Sequence, residues 1–332
     1  MIKKIITTCI GLMLGLAIFT TGLIAIAILV TYPKLPPLDS LQHYQPKMPL
    51  TIYSADGQII GVYGEQRREF TKINDFPDIL KNAVIAAEDK RFYEHWGVDV
   101  WGIARAAISN IVAGGVQSGA STITQQVAKN FYLSSERTFT RKFNEALLAY
   151  KIEQSLSKDK ILELYFNQIY LGQRAYGFAS AAQIYFNKNV KDLTLAEAAM
   201  LAGLPKAPSA YNPIVNPERA KLRQTYILNN MLEEGMITSQ QRDDALKEEL
   251  HYERFVQKID QNALYVAEMV RQELYEKYGE EAYTQGFHVY TTVNTANQRV
   301  ATEALRKVLR NFDRGSSYRG RSEEHTSELQ SL

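Results

Sequence analysis

Residues 77–97 read Pro77-Asp-Ile-Leu-Lys-Asn-Ala-Val-Ile-Ala-Ala-Glu88-Asp89-Lys-Arg-Phe92-Tyr-Glu-His95-Trp-Gly97. Ile79, Leu80, Ala83, Val84 and Ala87 recur at helical spacing and run directly into an acidic pair. That periodicity predicts a helix with one apolar face, ending at Glu88. An acidic pair at a helix end is ordinary on its own, because charged ends are common and well solvated. Here aromatics and a histidine follow it. Apolar neighbours would raise a carboxyl pKa toward the range a general base or acid needs.

From this stretch onward the chain reads as nearly all helix. Asn216, Pro217 and Gly235 bracket one helix as N-cap, first turn and C-terminal stop. Thr194 with Glu197, and Thr238 with Gln241, are spaced as capping boxes. Before it, Asp56-Gly57 between β-rich flanks at 51–63 predicts a hairpin. Tyr32–Pro49 carries five prolines and predicts an extended linker. Residues 262–312 change style to helix, strand at Phe287–Val293, then helix after Thr295, which predicts the start of a second, α+β domain. The tail Arg321–Leu332 resembles the translation of a sequencing-library adapter, and we expect it to be an artefact.

The N-terminus carries the clearest physical signal. Ile5–Val30 is a run of 26 residues without a charge, and a spanning helix needs about 20. Lys3 and Lys4 precede it, so the positive-inside rule puts residues 1–4 in the cytoplasm and the rest outside. A cleaved signal peptide is the rival, with Ala25-Ile26-Ala27 mimicking a cleavage site. The apolar run is too long for that reading and continues past the site.

Bulk properties exclude several classes. The 332 residues are 45% hydrophobic and 22% charged, so the chain is neither disordered nor low-complexity. A net charge of +2 makes no case for nucleic acid. The single Cys9 lies in the apolar run and can build neither a disulfide framework nor a thiolate zinc site. His43, His95, His251, His288 and His325 show no zinc-protease spacing.

Three further blocks could carry chemistry. Gly119-Ala-Ser121-Thr122-Ile-Thr-Gln125-Gln126, followed by Lys129-Asn130, opens a helix with small and polar groups that suit an anionic or sugar ligand. Arg137, Arg141 and Glu145 form one helical stripe, with Lys142 beside it and Phe139, Phe143, Leu147 and Tyr150 opposite. Such charges are routinely surface ion pairs, but they also suit a diphosphate whose cationic partners are fixed by an acid. Lys158-x-x-Ile-Leu-Glu163-x-Tyr-x-Asn167 reads as mostly structural. Two Ser-x-x-Lys matches, Ser155–Lys158 and Ser157–Lys160, lack the Ser-Asp-Asn and Lys-Thr-Gly companions of penicillin-reactive sites and are set aside.

In order and at these spacings, E-D-x-x-F-x-x-H-x-G, G-x-S-T-I-T-Q-Q, R-K-x-x-E and K-x-x-I-L-E-x-Y-x-N resemble the family 51 glycosyltransferases at the N-terminal end of class A penicillin-binding proteins. The resemblance covers residues 1 to about 320. It implies a mainly α, lysozyme-like domain over 51–236, after a transmembrane anchor (5–30) and a linker (31–50), with a small β-hairpin. Residues 237–320 would be a linker and the truncated beginning of a transpeptidase region. A membrane-dipping jaw is implied near Val98–Val116, where Trp101, Ile103, Ile108, Ile111 and Val112 are apolar.

The resemblance also assigns roles. Glu88 is implied to be the general base that activates the acceptor sugar's 4-hydroxyl. Lys129, Arg137 and Arg141 are implied to neutralise a departing undecaprenyl diphosphate, and Glu145 to orient that cluster. Phe92, His95, Ser121, Thr122, Gln125, Gln126, Asn130 and Lys142 are expected at the substrate. Asp89 is expected there too, with a hand in binding a divalent cation, Mg or Mn; no organic cofactor is expected. The implied partners are lipid II, the growing glycan strand, the inner membrane, outer-membrane lipoprotein activators and other cell-wall synthesis proteins. The implied location is the inner membrane, single-pass, with the catalytic domain in the periplasm. Moenomycin-type inhibitors would bind this domain. Two other readings stay open: a lysozyme-like enzyme that cuts glycan, and an anchored helical scaffold without activity.

Overall fold

The structure, a computed structural model, describes residues 2–42, 44, 46–64, 67–68, 70–114, 119–133, 138–252 and 259–315. Arg137, the last two residues of the expected jaw and the expected artefact tail lie outside the described residues. Numbered along the chain, the helices are α1 (Ile2–Thr31), α2 (Asp39–Gln42), α3 (Asp78–Glu88), α4 (Val100–Val112), α5 (Ile123–Tyr132), α6 (Phe139–Ser155) and α7 (Lys158–Gln168). Then follow α8 (Phe178–Phe186), α9 (Leu195–Ala202), α10 (Pro217–Glu233), α11 (Ser239–Lys247), α12 (Leu264–Tyr278) and α13 (Thr295–Gly315). The strands are β1 (Leu50–Tyr53), β2 (Ile59–Tyr63), β3 (Arg67–Arg68), β4 (Ala175–Tyr176) and β5 (His288–Tyr290). The mainly α class expected from the sequence is the class observed.

The chain forms two compact units, one from residues 1–46 and 67–255, the other from 47–66 and 256–332. In the first, α3 is central and packs on α9 and α10. Leu80, Ala83 and Val84 are fully buried as their spacing predicts, and Ile85 and Ala86 are buried as well. Covered by neighbours on more than one side, α3 carries an apolar surface wider than a single stripe. Tyr165, Phe166, Phe178 and Tyr185 fill the core around it. Each such aromatic contributes roughly 2–3 kcal/mol by burial, before cavity terms. Thr194 and Thr238 each close the predicted capping box with the residue three positions on. Asn216 stands at the N-cap position of α10 without a side-chain cap bond and donates instead to the Ser209 carbonyl. Gly235, two residues past the end of α10, takes a φ of +69°.

Helix α1 contains the expected 5–30 span, and Leu14–Lys34 is long and apolar enough to cross a membrane, with a mean hydropathy of 2.4. Helix α4 leaves Trp101, Ile108, Ile111 and Val112 exposed.

The hairpin forms as Asp56-Gly57 predicts, Gly57 taking the left-handed φ of +77°. Its strands belong to the second unit, however, rather than to the 51–236 stretch in which they were expected. β1 pairs antiparallel with β2 and parallel with β5. Leu50, Ile52 and Ile60 bury against Ala263 and Ala267 near α12. The reason is physical: a lone hairpin leaves one edge and one apolar face unsatisfied. The Asp56 carboxylate also accepts from the Thr295 backbone N–H (3.0 Å) and hydroxyl (2.6 Å) at the start of α13. Those bonds hold its pKa down at about 2.

Candidate active site

Helix α3 stops at Glu88 because Asp89 leaves helical geometry at φ −159°, ψ 75°. The two acids then part company. The Asp89 carboxylate turns inward, 7% exposed for the residue, and accepts the Ile123 backbone N–H at 3.0 Å, the first amide of α5. His95 Nε2 lies 3.0 Å from both its oxygens. Gly97 N–H donates to His95 Nδ1 at 3.2 Å, so that nitrogen is the acceptor and Nε2 carries the proton toward Asp89. Gly97 sits at φ +88°, and a Cβ there would meet the Ala149 backbone at 2.7 Å. Only glycine lets this loop lie against α6.

The same bolt fixes the second block. Thr122 donates to the Gly97 carbonyl at 2.6 Å and forms a capping box with Gln125 at the start of α5. Below it, Lys158 donates to the His95 carbonyl (2.6 Å) and to Glu153 (2.7 Å), and lies 4.6 Å from the Phe92 ring centre. Thr124 completes this cluster with a 2.6 Å bond to Glu153. Asp89, Phe92, His95, Thr122 and Gln125, all expected at the substrate, are therefore buried behind the site as its frame.

In front lies a cleft of about 890 Å³. Glu88, Ser121, Gln126, Lys129, Arg141, Lys142 and Glu145 line it, so the structure brings these expected residues together. Asn130 is exposed and outside this lining. Gln126 Nε2 donates to Glu88 Oε2 at 2.8 Å. Burial pushes the Glu88 carboxyl above the usual carboxylate range, against the pull of Gln126, Arg223 and Lys206, which lower it. Across the cleft, Glu145 is 3% exposed and accepts from Arg141 Nη1 at 2.7 Å and from Lys142. Lys142 also donates to Ser121 at 2.8 Å. A buried acid thus organises two cations at the cleft wall.

The opposite wall was not read from the sequence. Lys206, Tyr211, Arg219, Arg223 and Tyr226 line it. Arg219, Arg223 and Tyr226 stand at i, i+4 and i+7 on α10, a basic and aromatic stripe that helical spacing could have flagged. Among the described lining residues six cations face two carboxylates, a balance suited to a polyanionic ligand.

The Asp89 carboxylate, its side chain only 3% exposed, faces His95 and the Ile123 amide and is not part of the cleft lining. No group of three His, Cys, Asp or Glu side chains gathers a metal site among the described residues.

Residues 56–232, which include every motif above, match the transglycosylase family. The chain belongs to this family. Among similar transglycosylases is penicillin-binding protein 1A of Neisseria flavescens, 89% identical over 320 residues, covering 96% of this chain and 40% of that protein. Penicillin-binding protein 1A of Pseudomonas aeruginosa is 46% identical, covering 96% of this chain and 38% of that protein. The crystal structure of penicillin-binding protein 1A from Haemophilus influenzae is 34% identical, covering 83% of this chain and 31% of that one, with a TM-score of 0.47. This transglycosylase chain spans about 40% of the length of the Neisseria relatives it matches.

Proposed function

We propose that this chain polymerises lipid II into β-1,4-linked glycan strands with release of undecaprenyl diphosphate. One observation carries the reading: a largely enclosed carboxylate, Glu88, its side chain 11% exposed, opens onto a cleft whose walls are cationic. Glu88 takes the proton of the acceptor 4-hydroxyl. The resulting oxygen attacks the donor's anomeric carbon from the face opposite the diphosphate, which inverts that centre. The leaving group is an anion and needs charge neutralisation more than a proton, and Lys129, Arg141 and Lys142 supply it. Glu145 keeps two of these cations aimed into the cleft. A glycan-cutting enzyme would need a general acid for an alkoxide leaving group and would have no use for this cluster.

The anchor fits a lipid substrate. Helix α1 crosses the inner membrane with the cleft on the periplasmic side, as Lys3 and Lys4 favour. The exposed apolar residues of α4 dip into the outer leaflet.

The test is labelled lipid II given to the detergent-solubilised chain, with products resolved by length. Elongation with release of the lipid diphosphate is expected; shortening of preformed glycan without elongation contradicts the reading. The pH profile should follow Glu88. Its pKa lies above the usual carboxylate value, so turnover should decline at a higher pH on the acid side than an ordinary carboxylate would give. An acid limb at the ordinary value would remove Glu88 from the base role.

Glu145→Gln removes the charge that Arg141 and Lys142 share. Turnover is expected to fall at least about tenfold, with stability lowered by roughly 1–3 kcal/mol as partly buried cations lose their partner. Steady-state kinetics beside a thermal melt checks both. Unchanged kinetics would make Glu145 a structural ion-pair residue only.

A further inference from the structure

The two oxygens of Glu88 are treated unequally. Oε2 accepts from Gln126, whereas Oε1 has no hydrogen-bond partner among the described residues and faces Arg223 Nη2 at 3.6 Å. That distance is beyond a hydrogen bond but well within charge interaction. Arg223 is itself only 8% exposed. Its guanidinium carbon lies 4.9 Å from the Tyr226 ring centre and 5.9 Å from that of Tyr211. Its stem passes over Gly203, where an added Cβ would meet Arg223 Cγ at 2.9 Å. Its Nε is buried without a partner, and Glu88 is the one carboxylate within 4 Å of its guanidinium nitrogens among the described residues. A buried guanidinium held by two aromatic rings and a glycine, with no acid of its own other than Glu88, is held for the sake of that carboxylate.

We propose that Arg223 is a positioning residue that keeps the Glu88 carboxylate charged and aimed while leaving its reactive oxygen, Oε1, unbonded. A direct hydrogen bond to Oε1 would occupy the lone pair that must take the acceptor's proton. A bare neighbouring charge stabilises the ionised form and leaves that lone pair open. Of the other groups facing Glu88, only Lys206 carries a charge of the same sign as Arg223. Gln126, from α5, is neutral and takes Oε2. Asp89, beside it, and the buried Tyr165 of α7 oppose the charge or carry none. Lys206, in the loop after α9, also lowers the Glu88 pKa, but less than Arg223 does. This inference rests on the base role of Glu88 proposed above.

The test compares wild type, Arg223→Met, Arg223→Lys and Glu88→Gln in the whole chain. Lipid II kinetics, thermal melting and infrared titration of the Glu88 carboxyl, identified as the band lost in Glu88→Gln, are the readouts. Arg223→Met is expected to lower kcat roughly ten- to a hundredfold with KM within about threefold, because the loss falls on the transition state rather than on binding. Its Glu88 band should protonate at higher pH than in wild type, its melt should stay close to wild type, and Arg223→Lys should recover part of the loss. A rise in KM with kcat intact, an unmoved Glu88 titration, or an activity loss that merely tracks a collapsed melt would overturn the proposal. The titration needs no substrate. A wild-type chain that fails to polymerise while Arg223→Met still moves the Glu88 band would sink the base role and leave the coupling standing.

Discussion

Glu88→Gln is expected to lower lipid II turnover by roughly 10²–10⁴-fold, the usual worth of a positioned general base. The substitution keeps shape and removes only the charge and the proton-accepting oxygen. It should not weaken the fold, and the sign follows from the titration. Glu88 has a folded-state pKa above its ordinary value, chiefly through burial. A group of that kind favours the folded state at low pH, below its unfolded pKa, and that contribution is lost as the pH rises through the folded pKa. At neutral pH the buried ionised carboxylate is therefore a net cost, which glutamine relieves. The variant should melt at or above the wild-type temperature at neutral pH, with the gap closing as the solution is acidified. Loss of turnover together with a much lower melt would mean that Glu88 is a structural residue.

Asp89→Ala should behave in the opposite way, although the two acids are adjacent. It strands the His95 Nε2–H and the Ile123 amide, both buried, and releases the loop from the first turn of α5. Each stranded buried group costs about 1–3 kcal/mol. A loss of about 3–5 kcal/mol is expected, the range for removing one partner of a buried polar pair. For a domain of this size that lowers Tm by roughly 10 °C. Differential scanning calorimetry checks it. A variant that melts like wild type yet has lost turnover would return Asp89 to the substrate or to a cation.

The contrast between these neighbours shows where sequence reading stops. The helix leading into Glu88, the caps at Thr194 and Thr238, and the turn at Asp56-Gly57 depend on residues close in sequence, and their spacing announces them. The frame around Asp89 does not. An acid, a histidine and a threonine in polar blocks read as ligands because they are polar. Whether they face the cleft depends on an amide 34 residues away, that of Ile123. The hairpin was legible as a hairpin, but its attachment was not. Its third strand and the Thr295 partner of Asp56 lie more than two hundred residues downstream. Arg223 was missed because its pattern on α10 resembles any solvated helix face. Only the packing of α3 against α10 brings it to Glu88.

Where a lipid diphosphate rests in this cleft decides whether Glu88 can act as the base. The most direct measurement is a structure of the chain with an uncleavable lipid-linked disaccharide diphosphate and an acceptor sugar. The diphosphate should lie among Lys129, Arg141 and Lys142, and the acceptor 4-hydroxyl should lie about 2.6–3.2 Å from Glu88 Oε1. A diphosphate bound elsewhere, with no sugar hydroxyl within reach of Glu88, would contradict it.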